Sequence, residues 1–418
     1  MKKEPRMQLL FVFSAYPGET FAIVEVEALR DRGVDVVPLS LRGGRGWLRR
    51  RHANHDRHHD QVVVLPFTTS STWLAFVRFL LHHPLFVAGQ IATALRENAL
   101  QPVHLVRSLY VCLKAPAVVD LVRRRGIDGV HIYWAHYPAL IIPFLKRALP
   151  DLPVTAFLGA YSLVKRVPSG PRALAQADVL TTHFDGHVAE IQSGWIPRKL
   201  PIALNYHGIH LEPLKALRRE RAGERRLVIV SRLAVNKTVE DGIRTFALVH
   251  RKHPEFHLDV IGDGPCRRSL ERLVEELGIA DSVTFYGLLP QDKAFSIIAG
   301  ATALIMASLS PYETYPNAVK EAMALGVPCA GYAIPGIANF DAAGRAVRLA
   351  PPGDYEALAN VTIDLIENSE LARATAAAAD IRVRDFDVRV TSARQLELYR
   401  ALVQRAPLPG WVLQPTDA

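Results

Sequence analysis

Short apolar strands and helical stretches alternate without a break between Leu227 and Ala307, and that alternation leaves the chain few folds to choose from. Leu227–Ser231, His257–Gly262, Ser282–Tyr286 and Thr302–Ala307 read as strands. Between them, Val239–Lys252, Pro265–Leu277 and Gln291–Ala299 carry helical periodicity. A strand, a crossover helix and a second strand close as a parallel pair, and repetition gives a parallel sheet with helices on both faces. The first half follows the same rule less cleanly. Leu9–Phe13 and Val34–Leu39 are strands flanking a helix from Phe21 to Arg32, which Gly33 stops. Residues 129–134 and 154–159 read as further strands, with helical stretches at 115–125 and 138–149, and residues 177–194 as a strand entering a helix.

At 418 residues the chain exceeds one ordinary core. We read it as α/β, with two doubly wound Rossmann-like domains facing across a cleft. The first domain spans residues 1–205, a linker 206–226, and the second domain 227–385. Residues 386–418 end in a helix expected to pack back on the first domain. Ligands of such sheets gather at the carboxyl ends of the strands, which puts the expected site in the cleft.

Composition narrows the class. With 49% hydrophobic and 22% charged residues, the chain is globular. Cys112, Cys266 and Cys329 are widely separated and give neither a disulfide framework nor metal-ligand spacing, which fits a reducing cytosol. No secretory signal and no continuous membrane-spanning run is read. The net charge of +9 is concentrated in residues 42–59, RGGRGWLRRRHANHDRHH, followed by the amphipathic stretch TWLAFVRFLLHHPLF. These features suit a solvated loop or peripheral contact with an anionic membrane. A nucleic-acid partner is not expected, because no recognised motif or aromatic platform accompanies the charge.

The chemistry-bearing residues fall in the second half. SPYETYPNAVKEAMALGVP places Glu313 in a loop and Glu321 inside a helix that begins near Pro316 and stops at Gly326. A helix N-terminus suits a phosphate, and ionised carboxylates accept hydrogen bonds from hydroxyls. Phosphate with many hydroxyls describes a sugar nucleotide. Taken alone, the pair reads as a solvated loop charge and a helix-surface charge; its setting and the motifs upstream point to the sugar nucleotide. In VIVSRLAVNKTVEDGI, Arg232 follows a strand end and Lys237 stands five residues on, two cations suited to a diphosphate. In IGDGPCRRSL, Gly262 and Gly264 bracket Asp263, allowing close backbone approach to a base or ribose. VTFYGLL offers Gly287 and Leu288 as a rest for a nucleobase.

Together SRLAVNK, IGDGP, VTFYG and ETYPNAVKEAMALGVP resemble the family 4 glycosyltransferases, retaining enzymes of GT-B fold, in the family's order. PGETFAIVEVEALRDRG, which contains Gly18, and NYHGIHLEPL extend the resemblance. It implies that Arg232 and Lys237 hold the donor diphosphate, that Glu313 contacts the donor sugar and Glu321 the ribose. It implies that Asn317 and Ala318 present backbone N–H groups to the phosphate, and that no metal or other cofactor is needed. Gly262, Asp263, Gly287, Leu288 and Gly18 complete the expected nucleotide-sugar contacts. The sequence departs from the family at Leu158 and Tyr161, where many members carry His and Asp, at His210 for a frequent Asp, and at Thr238 for the usual Gly. His131, His136 and His183 near first-domain strand ends are substitutes for the missing histidine, or structural residues.

The expectation is therefore a retaining hexosyltransferase using a nucleotide diphosphate sugar. Its acceptor would be a polysaccharide or lipid-linked glycan at the inner face of the cytoplasmic membrane. The alternatives are a non-catalytic GT-B binding or scaffold protein and an epimerase of the same fold.

Overall fold

A computed structural model describes residues 6–415 apart from 17–19, 43–61, 68, 166, 169, 219–224 and 342. Two compact units are present: Met1–Gly208 with Arg389–Ala418, and Ile209–Val388.

The first unit is built on an eight-stranded sheet. Its strands are β1 (Gln8–Phe13), β2 (Asp35–Ser40), β3 (Val63–Val64), β4 (Gly129–Ile132), β5 (Val154–Phe157), β6 (Val179–Thr182) and β7 (Ile202–Leu204). The eighth, β14 (Val412–Leu413), comes from the chain's other end and pairs antiparallel with β7. The order is β14-β7-β6-β5-β4-β1-β2-β3, and every pairing except β14–β7 is parallel. Phe11 and Phe13 lie on one face of β1, while Leu10 and Val12 face the other, where helix Pro102–Arg125 packs through Val111, Ala115, Val118 and Val122.

The second unit carries a wholly parallel sheet of β8 (Arg226–Val230), β9 (His257–Ile261), β10 (Val283–Gly287), β11 (Ala303–Met306), β12 (Cys329–Tyr332) and β13 (Arg348–Ala350). The order β10-β9-β8-β11-β12-β13 reverses direction between β8 and β11, so the crevice at their carboxyl ends is the switch point where such sheets bind ligands. Leu227, Ile229, Ile243, Phe246, Leu258, Val260 and Ile305 form the core beneath it.

Three stretches differ from the sequence reading. The run read as a linker contains helix Leu211–Ala216 and is tied into the second unit. There Ile209 N–H donates to Phe386 O at 2.8 Å and Val388 N–H donates to Ile209 O at 2.9 Å. Helix Pro102–Arg125 is far longer than the stretch expected near Ala115, because one long run of its residues is buried on several sides and shows little periodicity. The single amphipathic stretch after residue 70 is two helices, Ser70–His82 and Pro84–Glu97, bent by 110°. Pro84 disfavours helical backbone at the preceding residue, and His83 leaves the helical region at φ −139°, ψ 52°. No single helix among the described residues is long and apolar enough to cross a membrane.

Candidate functional site

Three loops, at the carboxyl ends of β8, β9 and β10, are stitched together by backbone. Ser231 N–H donates to Ile261 O at 3.0 Å, and Gly262 N–H to Gly287 O at 2.9 Å. Leu233 N–H donates to Asp263 O at 3.0 Å, and Cys266 N–H returns to Leu233 O at 3.0 Å. These loops press so closely that a Cβ on Gly262 would stand 1.9 Å from Ser231 O, and one on Gly264 2.3 Å from Leu233 O. Gly262 also has φ +130°, a conformation side chains rarely adopt. The sequence reading assigned these glycines to close approach by a base or ribose; protein backbone already fills that space on the Cβ side. Asp263 turns its carboxylate onto Gly264 N–H at 2.7 Å, while Leu288 is exposed beside Gly287.

The loop after β8 is then joined to the loop after β11. Asn236 Nδ2 donates to Ser310 Oγ at 3.2 Å. Thr238 sits in the left-handed region at φ +42°, which explains why a glycine is usual at this position. The threonine compensates with its hydroxyl, which donates to Ala307 O at 2.9 Å and accepts from Leu309 N–H at 3.0 Å. Lys237 Nζ forms an ion pair with Glu313 Oε1. Glu313 is buried, only 8% exposed, rather than projecting into solvent as a lone loop charge. Its backbone is backed by Gly336, where a Cβ would meet Glu313 O at 1.8 Å. Arg232 is exposed and makes no ion pair among the described residues.

Helix Asn317–Ala324 opens at the end of the same loop. Pro316 holds the N-cap position, not the first helical turn that the sequence suggested. The N–H groups of Val319 and Lys320 donate to Pro316 O, so those of Asn317 and Ala318 lie ahead of the helical ladder. Gly326, at φ +77°, ends the helix as expected, with Val327 N–H returning to Ala322 O. Glu321 differs from the sequence reading of an ionised carboxylate. Burial pushes its carboxyl up to about 7, against the opposing pull of the neighbouring Lys320, which burial pushes down to about 7. Such a carboxyl donates as well as accepts near neutral pH.

In the first unit the strand ends carry rings. Leu158, at the position of the family histidine, is fully buried, and Tyr161 is exposed. His131 is not at a strand end: it lies inside β4, buried between Phe11 and Tyr399, with Nδ1 2.7 Å from Thr155 Oγ1. His136 Nδ1 accepts from Tyr137 N–H at 2.8 Å. Burial holds these rings neutral, His131 down to about 3 and His136 to about 4. His183 instead stacks on His207 at 4.3 Å, and His207 stacks on Phe21 at 4.3 Å. His207 Nδ1 stands 3.8 Å from Glu25 Oε2. Tyr133 donates to the same carboxylate at 3.0 Å and Gln395 Nε2 donates to its other oxygen. Burial pushes Glu25 up to about 7, with those two hydrogen bonds opposing. Sequence reasoning missed Glu25, His207 and Gln395, which sit far apart in the chain; it quoted NYHGIHL without singling out the histidine at 207. Gly18 and residues 43–59 of the basic stretch lie outside the described residues. Among the described residues, no three His, Cys, Asp or Glu side chains gather as a metal-binding group.

The pattern of the family described as "Glycosyl transferases group 1" matches residues 214–382. The chain is 37% identical over 150 residues to the 2-deoxystreptamine N-acetyl-D-glucosaminyltransferase of Streptomyces fradiae, covering 35% of this chain and 34% of that one, so it spans about a third of that relative. It is 32% identical over 277 residues to the N-acetyl-alpha-D-glucosaminyl L-malate synthase of Bacillus anthracis, covering 62% of this chain and 70% of that one. The fold matches the Anabaena protein HepE, crystallised in complex with UDP, at a TM-score of 0.66 and 18% identity, over 94% of this chain and all (100%) of that one.

Proposed function

We propose a specific activity for this chain, which belongs to the group 1 glycosyl transferases: transfer of a hexosyl group from a nucleotide diphosphate sugar to an acceptor hydroxyl, with retention at the anomeric carbon. The observation that carries the reading is the Lys237–Glu313 ion pair at the switch point, beside an exposed Arg232 and ahead of the N–H groups of Asn317 and Ala318. A cation held by a buried carboxylate is fixed in place before the donor arrives, and fixed charge stabilises a departing diphosphate without reorganisation. At about 4 Å and an effective dielectric near 20, each cation–phosphate pair contributes roughly 4 kcal/mol before desolvation.

In this scheme the acceptor oxygen attacks the donor's C1 on the face the leaving group departs from. The C1–O bond to the diphosphate breaks, and the acceptor proton passes to the departing phosphate oxygen. Arg232 and Lys237 take up the developing charge. Glu313 accepts a hydrogen bond from a donor-sugar hydroxyl, and Glu321 engages the ribose. Asp263, the backbone of Gly262 and Gly287, and the exposed Leu288 border the nucleoside. No metal has a role, so turnover in excess chelator should equal turnover without it.

The proposed acceptor is a polysaccharide or lipid-linked glycan, a reading supported by the basic and apolar character of the first unit's outer helices. The Streptomyces fradiae relative, named for transfer to 2-deoxystreptamine, makes small aminocyclitols the competing class. Glu313→Gln should abolish transfer while keeping most of the nucleotide affinity, measured by single-turnover assay and calorimetry on the same preparation. Undiminished turnover in that variant would remove Glu313 from the mechanism.

A further inference from the structure

Nine of the eighteen large hydrophobic side chains exposed among the described residues fall between residues 73 and 106 of the first unit. Eight lie on the outer sides of three consecutive helices, Ser70–His82, Pro84–Glu97 and Pro102–Arg125, and Leu100 lies in the turn before the third; the helices' inner sides pack into the core through Phe79, Val87 and Val111. On the first helix, Trp73, Leu74, Val77 and Leu81 follow one outward stripe, while Thr72, Ala75 and Phe79 are buried. Leu81 is 74% exposed and Leu85, across the bend, 88%. Trp73 ties its indole N–H to Phe67 O at 2.9 Å and still leaves 47% of itself outside.

We propose that this helix corner seats on an anionic lipid bilayer, lying in its interface. Charge selects this occupant. Arg96 and Arg107 are exposed along the same helices, Arg78 is exposed and paired with Asp120 of the third helix, and between residues 62 and 107 the only acidic residue is Glu97, which is paired with Arg172. Leucines and a tryptophan flanked by arginines match an interface of acyl chains beneath anionic headgroups. Length selects the orientation. The two helices have 13 and 14 residues, about 20 Å each and short of the roughly 30 Å hydrocarbon core, and their 110° bend precludes a continuous span. They therefore lie along the surface. This inference does not rest on the transferase reading.

Flotation of the full chain with phosphatidylglycerol-rich vesicles, without any donor or acceptor, tests it. The protein should float, and float less with phosphatidylcholine alone or at high salt. Leu81→Glu with Leu85→Glu should lower the partition at least about tenfold, because two inserting leucines are lost. Ile381→Glu, at an exposed apolar position of the second unit, should leave it unchanged. Thermal midpoint and nucleotide diphosphate affinity report whether each variant is folded, and Leu85→Gln serves if the double variant is not. Failure of the wild type to float, or undiminished flotation of the leucine variants, overturns the proposal. So does a wild-type dimer that does not float and that the leucine variants split, since a second copy would then be the occupant.

Discussion

The strand ends of the two units are built from opposite materials. In the second unit they carry charge on tightly pressed backbone: Arg232, the Lys237–Glu313 pair, and glycines that admit no Cβ. In the first they carry stacked rings around one carboxyl, with Phe21, His207 and His183 in a column and Glu25 beside it. The second arrangement suits a fixed polyanion, whose demands any donor of the class shares. The first suits a less charged, more variable partner, because a carboxyl raised to about 7 presents little fixed charge. The comparison can be broken at either end.

The largest effect is expected at Gly336. A Cβ there would overlap Glu313 O, so Gly336→Ala must move the loop that holds Glu313. We expect a loss of about 3 kcal/mol in urea denaturation, with donor turnover falling in the variant that remains folded. Unchanged stability would mean that the loop carries slack and that Glu313 is less rigidly held than the packing implies.

Thr238 sharpens the same point. Thr238→Val keeps a branched side chain at φ +42° but removes the hydroxyl that ties Ala307 and Leu309. It should cost on the order of 2 kcal/mol, whereas Thr238→Gly, which relieves the backbone while losing the same bonds, should cost less than half as much. Equal costs would show that conformation has no part in the choice of residue there.

The first unit answers to pH. Glu25 titrates near 4.5 in the unfolded chain and near 7 when folded, so the folded state holds its proton between those values. Stability from this group is complete below pH 4.5 and is lost as pH rises toward 7 and beyond. Glu25→Gln should match the wild type at pH 4.5 and exceed its stability by on the order of 2 kcal/mol at pH 8, read from denaturation midpoints. Parallel stability curves for the two proteins would place Glu25 in a wetter setting than its contacts indicate.

These regions also differ in how much of them the sequence discloses. In the second unit, strand, loop and helix follow one another at short range, so the local pattern alone marks Arg232, Lys237 and Glu313 as strand-end residues. What is not legible there is burial. Glu321 reads as an ionised helix-surface carboxylate, and only the packing around it raises its carboxyl. The glycines at 262 and 264 show that something approaches closely, but not that the neighbour is the chain's own backbone. In the first unit the site is assembled by tertiary contact: Glu25 from an early helix, His207 just before the chain enters the second unit, Gln395 after it returns. No spacing rule links residues that far apart. His131 misleads for the converse reason, since a histidine inside a buried strand looks the same in sequence as one at its end.

The central claim is that the β8–β11 switch point grips a nucleotide diphosphate through Arg232 and Lys237. Calorimetric titration of a panel of nucleoside diphosphates into the wild type and into Arg232→Ala tests it most directly. The account predicts saturable binding of at least one of them, weakened by about tenfold or more in the variant. Saturable binding with the same affinity in both proteins, or none in the wild type, would contradict it.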